Sequence, residues 1–254
     1  MSNPLKQKHI RITDLGNPQL NKMQQGAVDL FEENPVELSV EAVLSKAVKD
    51  TGLDDFGKDD FKPRLALWLS SVNDNPNMLE LGKYSFFSDC LRYAKTRLRV
   101  EDIIKRHPEI LDQKIVAPIV VIGLPRSGTT HLLNLMSADT RLRSMPLWES
   151  YEPVPVSEEV LNGNSKDRRF QRATEIWQAM DAMVPHVKAM HPMTPEHIHE
   201  EIELQGADFS SYIPEWVSWV PEWRDYYYQH DQTPHYKYML KVLKILQWLK
   251  PRER

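Results

Sequence analysis

Between Gly123 and Thr130 the chain reads Gly-Leu-Pro-Arg-Ser-Gly-Thr-Thr, which places two glycines, one guanidinium and three hydroxyls in eight consecutive residues. This combination suits an anion. Glycines let the backbone approach a ligand closely, and hydroxyls and unpaired N–H groups donate to its oxygens. The Gly123 to Gly128 spacing is that of a Walker A loop, but Thr129 stands where that motif requires lysine, and the cation comes earlier, at Arg126. A lysine at the helix start reaches the outer phosphates of a nucleoside triphosphate, whereas a cation inside the turn lies closer to the phosphate being cradled. A plain connecting turn without a ligand is the other reading of these residue types.

Two elements must hold such a loop. Ile119, Val120, Val121 and Ile122 are β-branched without interruption, as expected of a strand buried on both faces of a parallel sheet. After Thr130 the apolar residues Leu132, Leu133, Leu135 and Met136 recur at helical spacing. The unit is therefore strand, loop, helix. The helix N-terminus, with its unpaired N–H groups and positive dipole end, points at the anion.

At 254 residues the chain is long enough for one large domain or two small ones. A net charge of −4 gives no general attraction to nucleic acid. The single cysteine, Cys90, excludes an internal disulfide and suits a reducing compartment, so a cytoplasmic location is expected. The N-terminus lacks the apolar stretch of a signal peptide, and no run is long enough to cross a bilayer.

Residues 1–35 are polar and read as a loosely attached arm with one short helix. Helical patterns follow over Val40 to Gly52, with Ser39 as cap, over Phe61 to Asn73, with Asp59 or Asp60 as cap, and over Ser85 to Arg106. In the last, Arg92, Lys95, Arg97, Arg99, Lys105 and Arg106 read as a solvated face. Pro108 and Pro118 bracket the passage into the strand, which places a boundary near residue 112. Residues 1–112 then form a helical segment, and 113–254 a second one built on the anion loop.

The motifs TGLDDFG, HPEI with PIVVIGLPRSGTTHLL, MPLWES, MHPMTPEHIHEEIEL and LKVLKILQW, in this order, resemble a bacterial-type sulfotransferase family with a helical N-terminal extension. The resemblance implies an α/β fold with a P-loop-like parallel sheet. It also implies 3′-phosphoadenosine 5′-phosphosulfate (PAPS) as co-substrate without a metal, and a small-molecule or lipid-like hydroxyl acceptor. Pro125, Arg126, Ser127, Gly128, Thr129 and Thr130 would hold the 5′-phosphate. Arg126 would also offset charge on the departing phosphate oxygen, and Glu149 would take the acceptor's proton, since a neutral alcohol is a weak nucleophile. Relatives continue past the ILQW motif into further strands with an Arg and a Ser for the 3′-phosphate. The fold is accordingly expected to be incomplete at its C-terminus, with one apolar face of Ile119 to Ile122 uncovered. A non-catalytic remnant that binds a partner and a P-loop kinase or ATPase are the alternatives.

Downstream, a helical pattern runs from Lys166 to Val184. His186, His191, His197 and His199 lack metal-ligand spacing, because Thr194 as cap and Pro195 at the first helical position would turn His197 and His199 apart. His191 is a weaker acceptor-site candidate. The aromatic stretch from Trp216 to Tyr228 reads as a hairpin packed on the core or a cover for an apolar acceptor. Tyr236 to Leu249 reads as a helix that packs on a partner face or lies on a membrane surface.

Overall fold

The computed structural model describes residues 11–250 apart from Leu15, residues 157–166 and Pro192. The first ten residues of the polar arm and Lys166 lie outside the described residues. Helix α1 (Lys22–Glu33) opens with a capping box between Asn21 and Gln24. In α2 (Val40–Thr51) the Ser39 hydroxyl accepts from the Ala42 N–H at 3.1 Å, and Gly52, at φ 71°, ends the helix in the left-handed conformation. Helix α3 (Lys62–Asn73) follows a 3₁₀ turn at Asp59–Phe61. Neither aspartate caps α3, because the turn runs directly into the helix, and Asp59 pairs with Lys62 at 2.9 Å instead.

Helix α4 (Glu80–Arg106) is 27 residues long and forms the spine of the molecule. Its stretch from Phe87 to Leu98 enters a core cluster through Phe87, Cys90, Ala94 and Leu98, together with Val43 of α2, Trp68 of α3, and Phe209 and Trp223 from the C-terminal part. Its second half, through Val100 and Ile103, enters another cluster with Leu204, Val242, Ile245 and Leu246. Residues from both sides of position 112 therefore build both clusters. Full burial of each Leu or Ile there contributes roughly 1.5–3 kcal/mol relative to exposure.

Beyond a 3₁₀ turn at Pro108–Asp112 come α5 (Thr129–Ser137), α6 (Leu147–Tyr151), α7 (Arg169–Met183), α8 (Pro185–Met190), α9 (Ile202–Gln205), α10 (Ile213–Val217), α11 (Pro221–Gln229) and α12 (Thr233–Leu249). Trp223 of α11 packs on Trp68 with ring centroids 5.4 Å apart, so this part of the aromatic stretch is core, whereas Trp216 and Trp219 are exposed. Helix α12 lays Val242, Ile245 and Leu246 against the second cluster, and Lys241 pairs with Glu101 of α4 at 2.8 Å. No described helix is long and apolar enough to cross a membrane.

Three expectations need correction. First, the described residues contain no strand. Residues 119–124 form no ladder with any described segment, and Ile119, Val120 and Ile122 are 61%, 65% and 89% exposed. β-branched residues favour an extended backbone, but a strand also needs a neighbour for its N–H and C=O groups, and no described segment pairs there. Second, the basic face of α4 is only partly solvated. Arg97 is 2% exposed and meets Asp208, while Arg92 meets buried Glu203. Helical periodicity cannot reveal carboxylates delivered from more than a hundred residues away. Third, Thr194 and Pro195 do not start a helix. Residues 195–197 turn, Ile198 bridges antiparallel to Pro146, and α9 begins only at Ile202.

Candidate functional site

The loop that carries Pro125 to Thr130 is closed by its own bonds. The Ser127 N–H and its hydroxyl both donate to the Leu124 carbonyl, at 3.1 and 2.6 Å. The Ser127 groups thus close the turn and are spoken for. Arg126 has φ 67°, a left-handed conformation costing a non-glycine residue on the order of 1–3 kcal/mol, and Gly128 follows at φ 95° as the N-cap of α5. Gly123 has a separate reason to be glycine, because a Cβ there would lie 2.7 Å from Ser127 Oγ and 2.8 Å from Thr129 Cγ2. The result is a tight turn whose exposed crest, Pro125 to Gly128, leads into the first-turn N–H groups of Thr129 and Thr130. Those groups have no intrahelical acceptor. Arg126 is exposed and makes no ion pair among the described residues. An anion seated on this turn would meet backbone donors, two threonine hydroxyls and an uncommitted guanidinium.

Residues 194–200 connect this loop to Glu149. On one side, Thr130 Oγ1 donates to Glu200 Oε1 at 3.3 Å. On the other, the Leu147 and Trp148 N–H groups donate to the carbonyls of His197 and Pro195, at 2.8 and 3.2 Å, and the His199 N–H donates to Met145 O at 2.9 Å. These bonds hold the start of α6, and so Glu149 in its first turn. Glu149 is only 2% exposed. Arg143 Nη2 lies 3.2 Å from its Oε2, and Lys250 Nζ bonds its Oε1 while covering the Trp148 ring. Arg143 also donates to the Leu246 carbonyl at 3.1 Å, which ties the carboxylate to the end of α12.

Behind that segment lies a buried ionic cluster that sequence reasoning missed. Glu203 pairs with Arg92 of α4 and stands 3.8 Å from His199 Nε2. Burial alone would raise the Glu203 carboxyl, but Arg92 and then His199 outweigh it and hold it below the usual carboxylate range. The Arg92 guanidinium lies over the Tyr93 and Tyr151 rings, at 4.4 and 4.3 Å from their centroids. His191 and His197 face each other edge to face at 5.3 Å, and burial followed by the two neighbouring histidines lowers His197. No group of three or more His, Cys, Asp or Glu among the described residues could hold a metal ion. The only sequence signal for the cluster was the density of acidic residues from Glu196 to Glu203, which equally describes a solvated face.

Residues 118–247 match the model of a sulfotransferase family. Among solved structures, the chain resembles the crystal structure of sulfotransferase STF1 from Mycobacterium tuberculosis H37Rv, with TM-score 0.65 and 25% identity over 82% of this chain. It also resembles that of sulfotransferase STF9 from Mycobacterium avium, with TM-score 0.71 and 24% identity over 83% of this chain. A search of curated protein sequences gave no match. The anion-ready turn and this fold define the class: the chain belongs to the sulfotransferase family and has a sulfotransferase-type fold. It spans 57% of the length of the first of those two proteins and 54% of the second.

Proposed function

We propose that the protein transfers a sulfuryl group from PAPS to a hydroxyl acceptor, with Pro125 to Thr130 as the seat of the 5′-phosphate. The observation that carries this reading is the turn itself, left-handed at Arg126 and Gly128 and open to solvent, in a chain of the sulfotransferase family. The N–H groups and hydroxyls of Thr129 and Thr130 hold the phosphate. Arg126 balances negative charge on the bridging oxygen as the sulfur–oxygen bond to phosphate breaks and the bond to the acceptor oxygen forms. The acceptor's proton passes to Glu149. For that step the acceptor hydroxyl replaces Lys250 at Oε1, while Arg143 keeps its place at Oε2. In-line positioning and charge balance supply most of the rate, as in phosphoryl transfer. The acceptor is a small or lipid-like alcohol or phenol. Residues 113–254 carry the nucleotide, and the helical segment 1–112 supports them. Cys90, a buried free thiol, accords with a cytoplasmic setting.

The experiment is calorimetric titration of wild type and Arg126→Ala with 3′-phosphoadenosine 5′-phosphate (PAP), beside ATP with magnesium. Wild type is expected to bind PAP selectively and Arg126→Ala to bind it at least tenfold more weakly, about the loss of one charge-assisted contact. Preference for ATP would move the protein to kinase or ATPase chemistry. A folded chain that binds neither nucleotide would favour a partner-binding role.

A further inference from the structure

Glu200 is an unexpected neighbour for a phosphate seat. Its Oε1 accepts the proton of the Thr130 hydroxyl at 3.3 Å, so one of the loop's donors is committed to a carboxylate. The carboxylate also sets a negative charge one hydrogen bond from the place where a negative ligand would sit. Among the described residues Glu200 makes no ion pair, in contrast to Glu203 three residues on, which Arg92 neutralises. Charge complementarity alone would put an amide, a hydroxyl or a cation in that position.

Resting on the PAPS reading above, we propose that Glu200 promotes release of the spent nucleotide by repelling its 5′-phosphate more strongly than it repels the donor's phosphosulfate. In the donor the 5′-phosphorus bears one ionised oxygen, and the second negative charge sits on the sulfate end. Transfer removes the sulfuryl group and leaves a phosphate monoester whose second ionisation falls near pH 6, so at neutral pH almost two charges rest on the phosphate within the loop. Either nucleotide draws the Thr130 proton toward its own oxygen and leaves Glu200 Oε1 without that donor. Only the product adds a second charge beside it. With screening close to that of bulk water and a separation of about 6 Å, the repulsion amounts to about a threefold weakening for the donor's one charge and about tenfold for the product's two.

The test compares wild type, Glu200→Gln, Glu200→Ala and Arg126→Ala, each titrated calorimetrically with PAP and separately with PAPS in the absence of acceptor. Circular dichroism checks that each variant is folded. Glutamine keeps the size and an accepting oxygen and removes the charge, whereas alanine removes both. Both Glu200 variants are expected to bind PAP about tenfold more tightly than wild type, and PAPS by no more than about threefold. Equal tightening for the two nucleotides, no change, weaker binding, or an effect confined to one of the two variants overturns the proposal. If Arg126→Ala loses both nucleotides while the Glu200 variants match wild type, this proposal fails and the PAPS reading stands. A wild type that binds neither nucleotide overturns both.

Discussion

Asp208 is 3% exposed and sits where the N-terminal helices meet the C-terminal ones, so its replacement by asparagine tests how the two parts are joined. Arg97 Nη1 lies 2.9 Å from its Oδ1, and Arg64 Nη2 and His235 Nδ1 lie 3.0 and 2.7 Å from its Oδ2. Asparagine preserves the shape but removes the charge, and it aims an NH₂ group at one of these donors. The guanidiniums are not stripped of every partner. Arg97 keeps the carbonyls of Phe56, Lys58 and Ala207, and Arg64 keeps those of Asp60 and Asp208. The expected loss is therefore that of one broken buried pair, about 3–5 kcal/mol, and not twice that. In a chain of this size, each kcal/mol shifts Tm by about 2–4 °C, so Asp208→Asn should melt about 10 °C below wild type. Thermal unfolding followed at 222 nm should show one transition, because both core clusters draw on both halves. A Tm within about 2 °C of wild type would refute the argument, since the buried cations would then not depend on Asp208.

Two further expectations concern the carboxylates beside the proposed site. Glu149→Gln should leave PAP affinity within about twofold of wild type and lower PAP release with an accepted alcohol or phenol roughly a hundredfold or more; normal turnover would remove Glu149 from the base role. Glu203 has a folded-state pKa below its unfolded value of about 4.3, so its stabilisation is present above that pH and is lost as pH falls through the lower folded value. Glu203→Gln should consequently lower stability at neutral pH and flatten its decline in the acid range. Urea titrations from pH 7 to pH 3 that gave parallel curves for the two proteins would contradict that assignment.

What could be read from the sequence was what is decided nearby. Ser39 and Gly52 delimit α2 because the cap hydrogen bond and the left-handed turn lie within a few residues of the helix. The loop from Gly123 to Thr130 is local in the same sense, since its closing bonds all run to Leu124. The inward turn of Arg92 and Arg97 was hidden, because a helix period distinguishes apolar from polar faces and not solvated arginines from paired ones. Residues 119–122 failed as a strand for a related reason. Their composition sets the backbone's preference, but a ladder is a property of two segments.

Glu149 shows how far local reading reaches at a site. Its place just beyond the loop helix can be read from the chain, and the structure does join it to the loop through residues 194–200. What surrounds the carboxylate depends on Arg143, six residues away, and on Lys250, 101 residues away at the end of α12. The proposed base is therefore coupled directly to the packing of α12 on α4, whereas the proposed phosphate seat meets it only through residues 194–200. Damage to the C-terminal helix should disturb proton transfer before it disturbs nucleotide binding. The two functions assigned to this region can then be separated by perturbations far from either.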